Sequence, residues 1–199
     1  MSNKPRVCKP NLTYHVFSRC VDRKNLMKHK HMKELMISVI NMALIKYKFE
    51  LSTHIILNNH FHFIIKTVTD GASISIIMQF IKSQYARRYN SKMNRIGPFW
   101  NERFGDTIIE NAKDPQFLFN WIILYIAYNA IRKGYVNDPR NYEYSSIKYY
   151  LMEDYEPSVK ITRHEYFEKL GSTFAKRVNE LLKVEEMYRK RLFPEYLFE

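Results

Sequence analysis

The stretch His54-Ile55-Ile56-Leu57-Asn58-Asn59-His60-Phe61-His62-Phe63-Ile64-Ile65-Lys66 carries two histidines one residue apart. Phe61, Phe63 and Ile65 alternate as on a strand with one buried face, so His60 and His62 project together from the other. Phe49 to Leu57 supplies a partner strand, and Asn58-Asn59 suits a tight turn between them because asparagine tolerates the left-handed region. Two neutral imidazoles a pleat apart can share one divalent cation once a third group completes the shell. Such pairs also sit on strands without any ligand, so the motif needs support from elsewhere in the chain.

Upstream, Leu12 to Arg19 has strand composition with Tyr14 and Val16 on one face, and residues 1–11 read as a flexible basic arm. From His31 to Tyr47 the apolar residues Leu35, Met36, Val39, Ile40, Ala43 and Leu44 recur at helical spacing. Downstream, Asp70 to Ser73 starts a second helix striped by Ile74, Ile77, Met78, Ile81 and Tyr85, whose other faces carry Lys82, Arg87 and Arg88. A Gly97-Pro98-Phe99-Trp100 loop, Arg103 and a short strand near Thr107 to Glu110 follow. Asp114-Pro115 opens a helix and Arg132-Lys133-Gly134 closes it. That helix is apolar on nearly every side, so it should pack on the sheet and can also meet another subunit. Its exceptions are Tyr125 and Asn129, four residues apart and stacked on one face.

Strand, helix, strand, strand, helix, strand, helix spells an α+β fold, an antiparallel-rich sheet with helices on one face. A boundary is expected near 152–160, where Pro157 and an acidic run intervene, so 12–151 forms the main domain and 152–199 a C-terminal helical extension. Phe117 to Ile131 is too short and too interrupted to cross a bilayer, and no leader is evident, so a cytoplasmic protein without membrane association is expected. Cys8 and Cys20 suggest neither a disulfide framework nor a zinc site.

The chain carries a net charge of +12, and its distribution is uneven. Residues 1–151 hold 23 Lys and Arg against 10 Asp and Glu, whereas residues 152–199 hold 9 against 10. The basic excess thus accompanies the histidine pair and points to a polyanionic partner. Aromatic side chains stack on exposed bases while cations track phosphates, which favours a single-stranded or hairpin nucleic acid. Lys82, Arg87, Arg88, Trp100 and Arg103 are the candidate contacts, although Trp100 serves equally well as a hydrophobic plug under the sheet.

In this fold the last long helix can lie beside the histidine strand, making the Asn129 side-chain oxygen the third ligand. A cation held by His60, His62 and Asn129 keeps open positions for a phosphate, and the Tyr125 phenol can attack phosphorus to give a phosphotyrosine. Tyr128 is the rival nucleophile.

These segments resemble the single-tyrosine HUH transposases, and especially their REP-associated branch. The resemblance rests on Tyr14-His15-Val16 with Ser18-Arg19, on Asn59-His60-Phe61-His62, and on Gly97 with Trp100, Arg103 and Phe104. It continues through Tyr125-Ile126 with Asn129, Arg132 and Gly134 to Tyr144-Ser145-Ser146. It implies a ferredoxin-like HUH sandwich, a Mg²⁺ or Mn²⁺ ion on His60, His62 and Asn129, and Tyr125 as the nucleophile. The implied activity is nicking and rejoining of DNA beside hairpins through a 5′-phosphotyrosine, by a monomer or homodimer. Asn58 and Ala130 depart from prolines common in that branch. A hairpin-binding regulator without catalysis and a relaxase or replication-initiator nuclease are the alternatives.

Overall fold

The computed structural model describes residues 7–192; the expected basic arm falls largely on residues 1–6, outside them. The decisive stretch forms an antiparallel hairpin of β2 (Phe49–Ile56) and β3 (His60–Thr67), with a bulge between Leu51 and Thr53. Asn58 and Asn59 make the turn without positive φ, contrary to the left-handed turn expected. Long-range bonds hold it instead: the Met27 amide donates to the Asn58 carbonyl and the Cys20 amide to the Asn59 carbonyl, each at 2.8 Å. β1 (Thr13–Arg19) pairs with the other side of β3, and β4 (Gly105–Ile108) pairs with β1, giving an all-antiparallel sheet in the order β2-β3-β1-β4.

Alternation along the strands sorts side chains onto two faces. Tyr14, Val16, Phe61, Phe63 and Ile65 face α1 (Lys30–Lys46) and α2 (Ile74–Lys92), where they join Met36, Ile40, Ile77, Ile81 and Tyr85 in one core. Helices were expected on one face only, but the opposite face is covered as well. There Ile55, Leu57 and Ile64 pack with Phe119, Ile123 and Ile126 of α3 (Pro115–Ala127) in a second core. The reason lies in α3 itself: a helix apolar nearly all round must bury two sides. Its far side is taken by α6 (Glu165–Glu168) and α7 (Phe174–Leu192), which contribute Phe167, Leu181 and Tyr188. Residues beyond 152 therefore contribute to both cores, Val159 and Ile161 joining the first.

The α3 N-terminus is set by Asp114, whose carboxylate accepts from the Phe117 amide at 2.9 Å, with Pro115 in the first turn. One helix was expected through to Arg132. The chain instead breaks at Tyr128 (φ −70°, ψ −6°) before a single turn, α4 (Asn129–Arg132), and leaves through Gly134 at φ +66°. Asn129 and Arg132 explain the break: both donate from their side chains to the Tyr125 carbonyl, at 2.8 and 2.9 Å, displacing ordinary helical pairing. One more short helix, α5 (Lys148–Leu151), lies behind β2, where the Tyr150 hydroxyl donates to the Ser52 carbonyl. Among the described residues no helix is long and apolar enough to cross a membrane.

Candidate active site

β3 delivers His60 and His62 to the α3 side of the sheet, each only 5% exposed. α3 and α4 bring Tyr125 and Asn129 to the same place. The Tyr125 ring stands edge-on to His62 with centroids 5.7 Å apart, and Asn129 reaches His60, where its side-chain hydrogen bond favours the protonated ring. All four line one cavity of about 510 Å³ with Phe17, Arg19, Arg23, Arg103, Arg132 and Lys133. Gly105 lines it too, and a Cβ there would press on the Phe17 ring, so a larger residue needs that ring to move.

Burial holds His60 down to about 4, and the charges of Arg19, Lys133 and Arg132 push in the same direction against the Asn129 hydrogen bond. His62 lies well below its ordinary value, again from burial first and then from His15, His60 and the two arginines. Both rings are therefore neutral at pH 7 and retain a lone pair. His60 Nδ1 lies 2.6 Å from Asn59 Oδ1, an oxygen that only accepts, so Nδ1 carries the hydrogen and Nε2 carries the lone pair. His15, on the same face of β1, lies 3.0 Å from His62 and stacks on it.

Among the described residues no group of three or more His, Cys, Asp or Glu is placed to hold a metal ion. A cation here would take two imidazoles and the Asn129 amide, a sparse neutral set that leaves positions for phosphate oxygens. That donor set fits a divalent ion held partly by its substrate.

The other sequence-predicted contacts are dispersed. Arg103 is exposed and lines both the main cavity and a neighbouring, more apolar one of about 550 Å³ that also includes Lys82, Trp100 and Phe104. Trp100 is the plug: its ring packs against Phe61, Tyr85 and Phe99, and its indole N–H donates to the Lys82 carbonyl at 2.9 Å. Lys82 Nζ in turn donates to the Glu102 carbonyl at 2.6 Å. Arg87 and Arg88 are exposed on α2, where they line a shallow groove with Gln84 and Lys92 away from the histidines. Tyr128, the rival nucleophile, is buried in the second core with its hydroxyl donated to Glu185 at 2.8 Å.

His15, Arg132 and Lys133 join the site without having been assigned a role from the sequence, although His15 and Arg132 stand in segments that carry the family resemblance. His15 was legible in principle, since it alternates with Tyr14 and Val16 and must face the histidine side once β1 pairs with β3. Nothing in the spacing of Arg132 distinguishes it from a helix-terminal cation.

The sequence matches the family described as IS200-like transposases over residues 8–122, a stretch that contains the histidine pair and ends before Tyr125. A protein of Haemophilus influenzae, named provisionally as a REP-associated tyrosine transposase, is 28% identical over 109 residues, covering 50% of this chain and 60% of that one. The match thus spans less than two thirds of that relative. A solved REP-associated tyrosine transposase bound to a REP hairpin superposes with a TM-score of 0.63 at 20% identity, over 81% of this chain and 92% of that one. That likeness is one of fold. With more than half of its length matched, the chain belongs to the IS200-like transposase family.

Proposed function

We propose that this chain is a metal-dependent single-stranded DNA endonuclease and strand transferase that works beside hairpins through a covalent 5′-phosphotyrosine on Tyr125. The observation that carries the reading is the meeting of Tyr125 and Asn129 with His60 and His62 in one basic cavity, from elements far apart in the chain. Arg19, Arg23, Arg103, Arg132 and Lys133 make that cavity a seat for a phosphodiester. Hairpin DNA as partner is supported by the similar fold solved with a REP hairpin, with Arg87 and Arg88 as further phosphate contacts.

In the step proposed, the Tyr125 oxygen forms a bond to phosphorus as the bond from phosphorus to the 3′ oxygen breaks. The phenol proton ends on that oxygen, leaving a free 3′-hydroxyl. A later 3′-hydroxyl reverses the exchange and reseals a strand. His60, His62 and Asn129 would hold Mg²⁺ or Mn²⁺, which supplies Lewis-acid polarisation of the phosphate when bound. Neutral imidazoles suit that task, since a protonated ring has no lone pair to give.

The test is trapping. A labelled hairpin-bearing oligonucleotide incubated with protein and Mn²⁺ should yield a denaturant-resistant adduct, absent with EDTA and absent in Tyr125→Phe. An adduct that persists in Tyr125→Phe overturns the nucleophile assignment. Tight hairpin binding indifferent to EDTA, with no cleavage under any divalent metal, would instead mark a regulator that binds without cutting.

A further inference from the structure

The cavity that holds the histidines is also lined by an arginine, Arg132, held without a carboxylate partner among the described residues. Arg132 donates from Nη2 to the Tyr125 carbonyl at 2.9 Å and from Nη1 to the Tyr188 hydroxyl, and its guanidinium lies 4.6 Å from the centre of the Tyr125 ring. Tyr188 belongs to α7, is 3% exposed, and is wedged by Trp121 at 4.9 Å and Tyr128 at 5.2 Å. Its hydroxyl is therefore a fixed point rather than a swinging one.

Two other arginines of this half of the molecule are neutralised, whereas Arg163 meets only carbonyls and ring faces among the described residues. Arg140 pairs with Asp138 and Glu185, and Arg177 pairs with Glu168. Among the described residues no carboxylate pairs with Arg132; its partners are a carbonyl, a hydroxyl and a ring face, which orient a cation without cancelling its charge. A guanidinium has five N–H donors, and these bonds occupy two. The remainder sit on a side chain that lines the cavity beside the proposed nucleophile.

We infer that Arg132 is a further catalytic residue, whose guanidinium takes a non-bridging oxygen of the scissile phosphate beside the Tyr125 ring, and that Tyr188 of the C-terminal helix is its positioning residue. The inference rests on the reading of Tyr125 as nucleophile. It gives residues beyond 152 a place in the reaction: α7, outside the stretch matched by the family, completes the cavity by fixing the angle of one cation. A planar fork held at two points presents its other edge in a set direction, which suits a phosphate more than a flexible ammonium does.

The experiment measures three quantities on the full chain: the single-turnover rate of adduct formation at saturating hairpin oligonucleotide with Mn²⁺, the hairpin dissociation constant in EDTA, and the thermal midpoint. Tyr188→Phe removes one acceptor and keeps the wedged ring, so the saturated rate should fall about tenfold with affinity and thermal midpoint unchanged. Arg132→Ala should lose about 100-fold in the saturated rate, with partial recovery on adding free guanidinium at non-denaturing concentration and none in Arg132→Lys. A Tyr188→Phe protein at the wild-type rate, while Tyr125→Phe forms no adduct, overturns the inference and leaves the nucleophile standing. An Arg132→Ala protein that loses hairpin affinity but keeps the saturated rate also overturns it. If Tyr125→Phe forms the adduct as wild type does, or wild type forms none, the underlying reading fails first.

Discussion

Nε2 of His15 lies 3.0 Å from Nδ1 of His62, so one hydrogen is shared between two buried rings. Burial pushes His15 down to about 4, and His62 lies well below its ordinary range, so at pH 7 both are neutral. For His62 to present a lone pair at Nε2, its Nδ1 must carry the hydrogen and donate to His15, whose own hydrogen then sits on Nδ1. The contact orients the His62 ring, and it is compatible with the tautomer that leaves Nε2 free for a cation.

His15→Phe keeps a ring in the same space and removes the acceptor. Mn²⁺ affinity measured by titration calorimetry should fall by about tenfold or more, while hairpin binding in EDTA is unchanged. An unaltered Mn²⁺ affinity would mean that His62 is oriented without its neighbour.

Tyr128 has the wrong surroundings for attack on phosphorus. Burial and the Glu185 carboxylate both push its hydroxyl far above the usual phenol value, and Glu185 is itself bonded to Arg140 at 2.7 Å. Tyr128→Phe should leave adduct formation intact and reduce unfolding free energy by about 1–3 kcal/mol, read from urea titrations, because a buried carboxylate loses one donor.

Trp100 is expected to matter for stability before it matters for DNA. Trp100→Ala should cost about 2–3 kcal/mol in the same titrations, below the range for a fully buried tryptophan because the side chain is only partly covered. Trp100→Phe retains the packing on Phe61 and Phe99 and removes only the indole bond to the Lys82 carbonyl, so about 1 kcal/mol is expected. Near-native stability in Trp100→Ala with lost hairpin binding would reverse this assignment.

Acid should destabilise the fold through its buried imidazoles. His164 is 2% exposed, takes the Tyr166 amide on Nδ1, and is held at about 4 by burial first and by the Lys66 charge next, against an ordinary value of 6.5. The folded value is depressed, so as pH falls the unfolded chain takes the proton first. Stability is full above about pH 6.5 and declines toward pH 4, by about 2 kcal/mol between pH 6.5 and 5 for this residue alone. His164→Asn keeps an acceptor for the Tyr166 amide and should remove that share of the decline, measured as urea midpoints at the two pH values.

Arg87 and Arg88 offer charge without a built pocket. If they track phosphates as proposed, Arg87→Ala with Arg88→Ala should weaken hairpin binding about equally for unrelated sequences and reduce the slope of log affinity against log salt by about 1–2. An unchanged slope would place the DNA path elsewhere.

The strands, α1, α2 and the Asp114 cap were legible because each depends on local periodicity and turn chemistry. Tyr125 and Asn129 were legible as one helical face, but their approach to His60 and His62 was an inference about tertiary packing that no spacing in the chain determines. The second covered face escaped because periodicity does not say which face of the sheet α3 takes, and what covers α3 in turn comes from residues 165–192, whose near-balanced charge gave no hint of what they pack on. The break at Tyr128 escaped for a related reason: Asn129 and Arg132 compete for the Tyr125 carbonyl with their side chains, and a periodic pattern is blind to that competition. For Trp100 the sequence leaves a stacking platform and a plug equally open, because residue type does not separate the two.

The outer margin of β2 is not left bare. The Tyr144 carbonyl accepts from Ile56, the Ser146 amide donates to His54, the Thr162 amide donates to Leu51, and the Tyr142 and Tyr150 hydroxyls donate to Ile56 and Ser52. A second copy seeking to extend the sheet from this border would find its backbone groups already occupied, so strand-by-strand polymerisation is blocked there. Any self-association must then be side chain to side chain, or start from another part of the molecule.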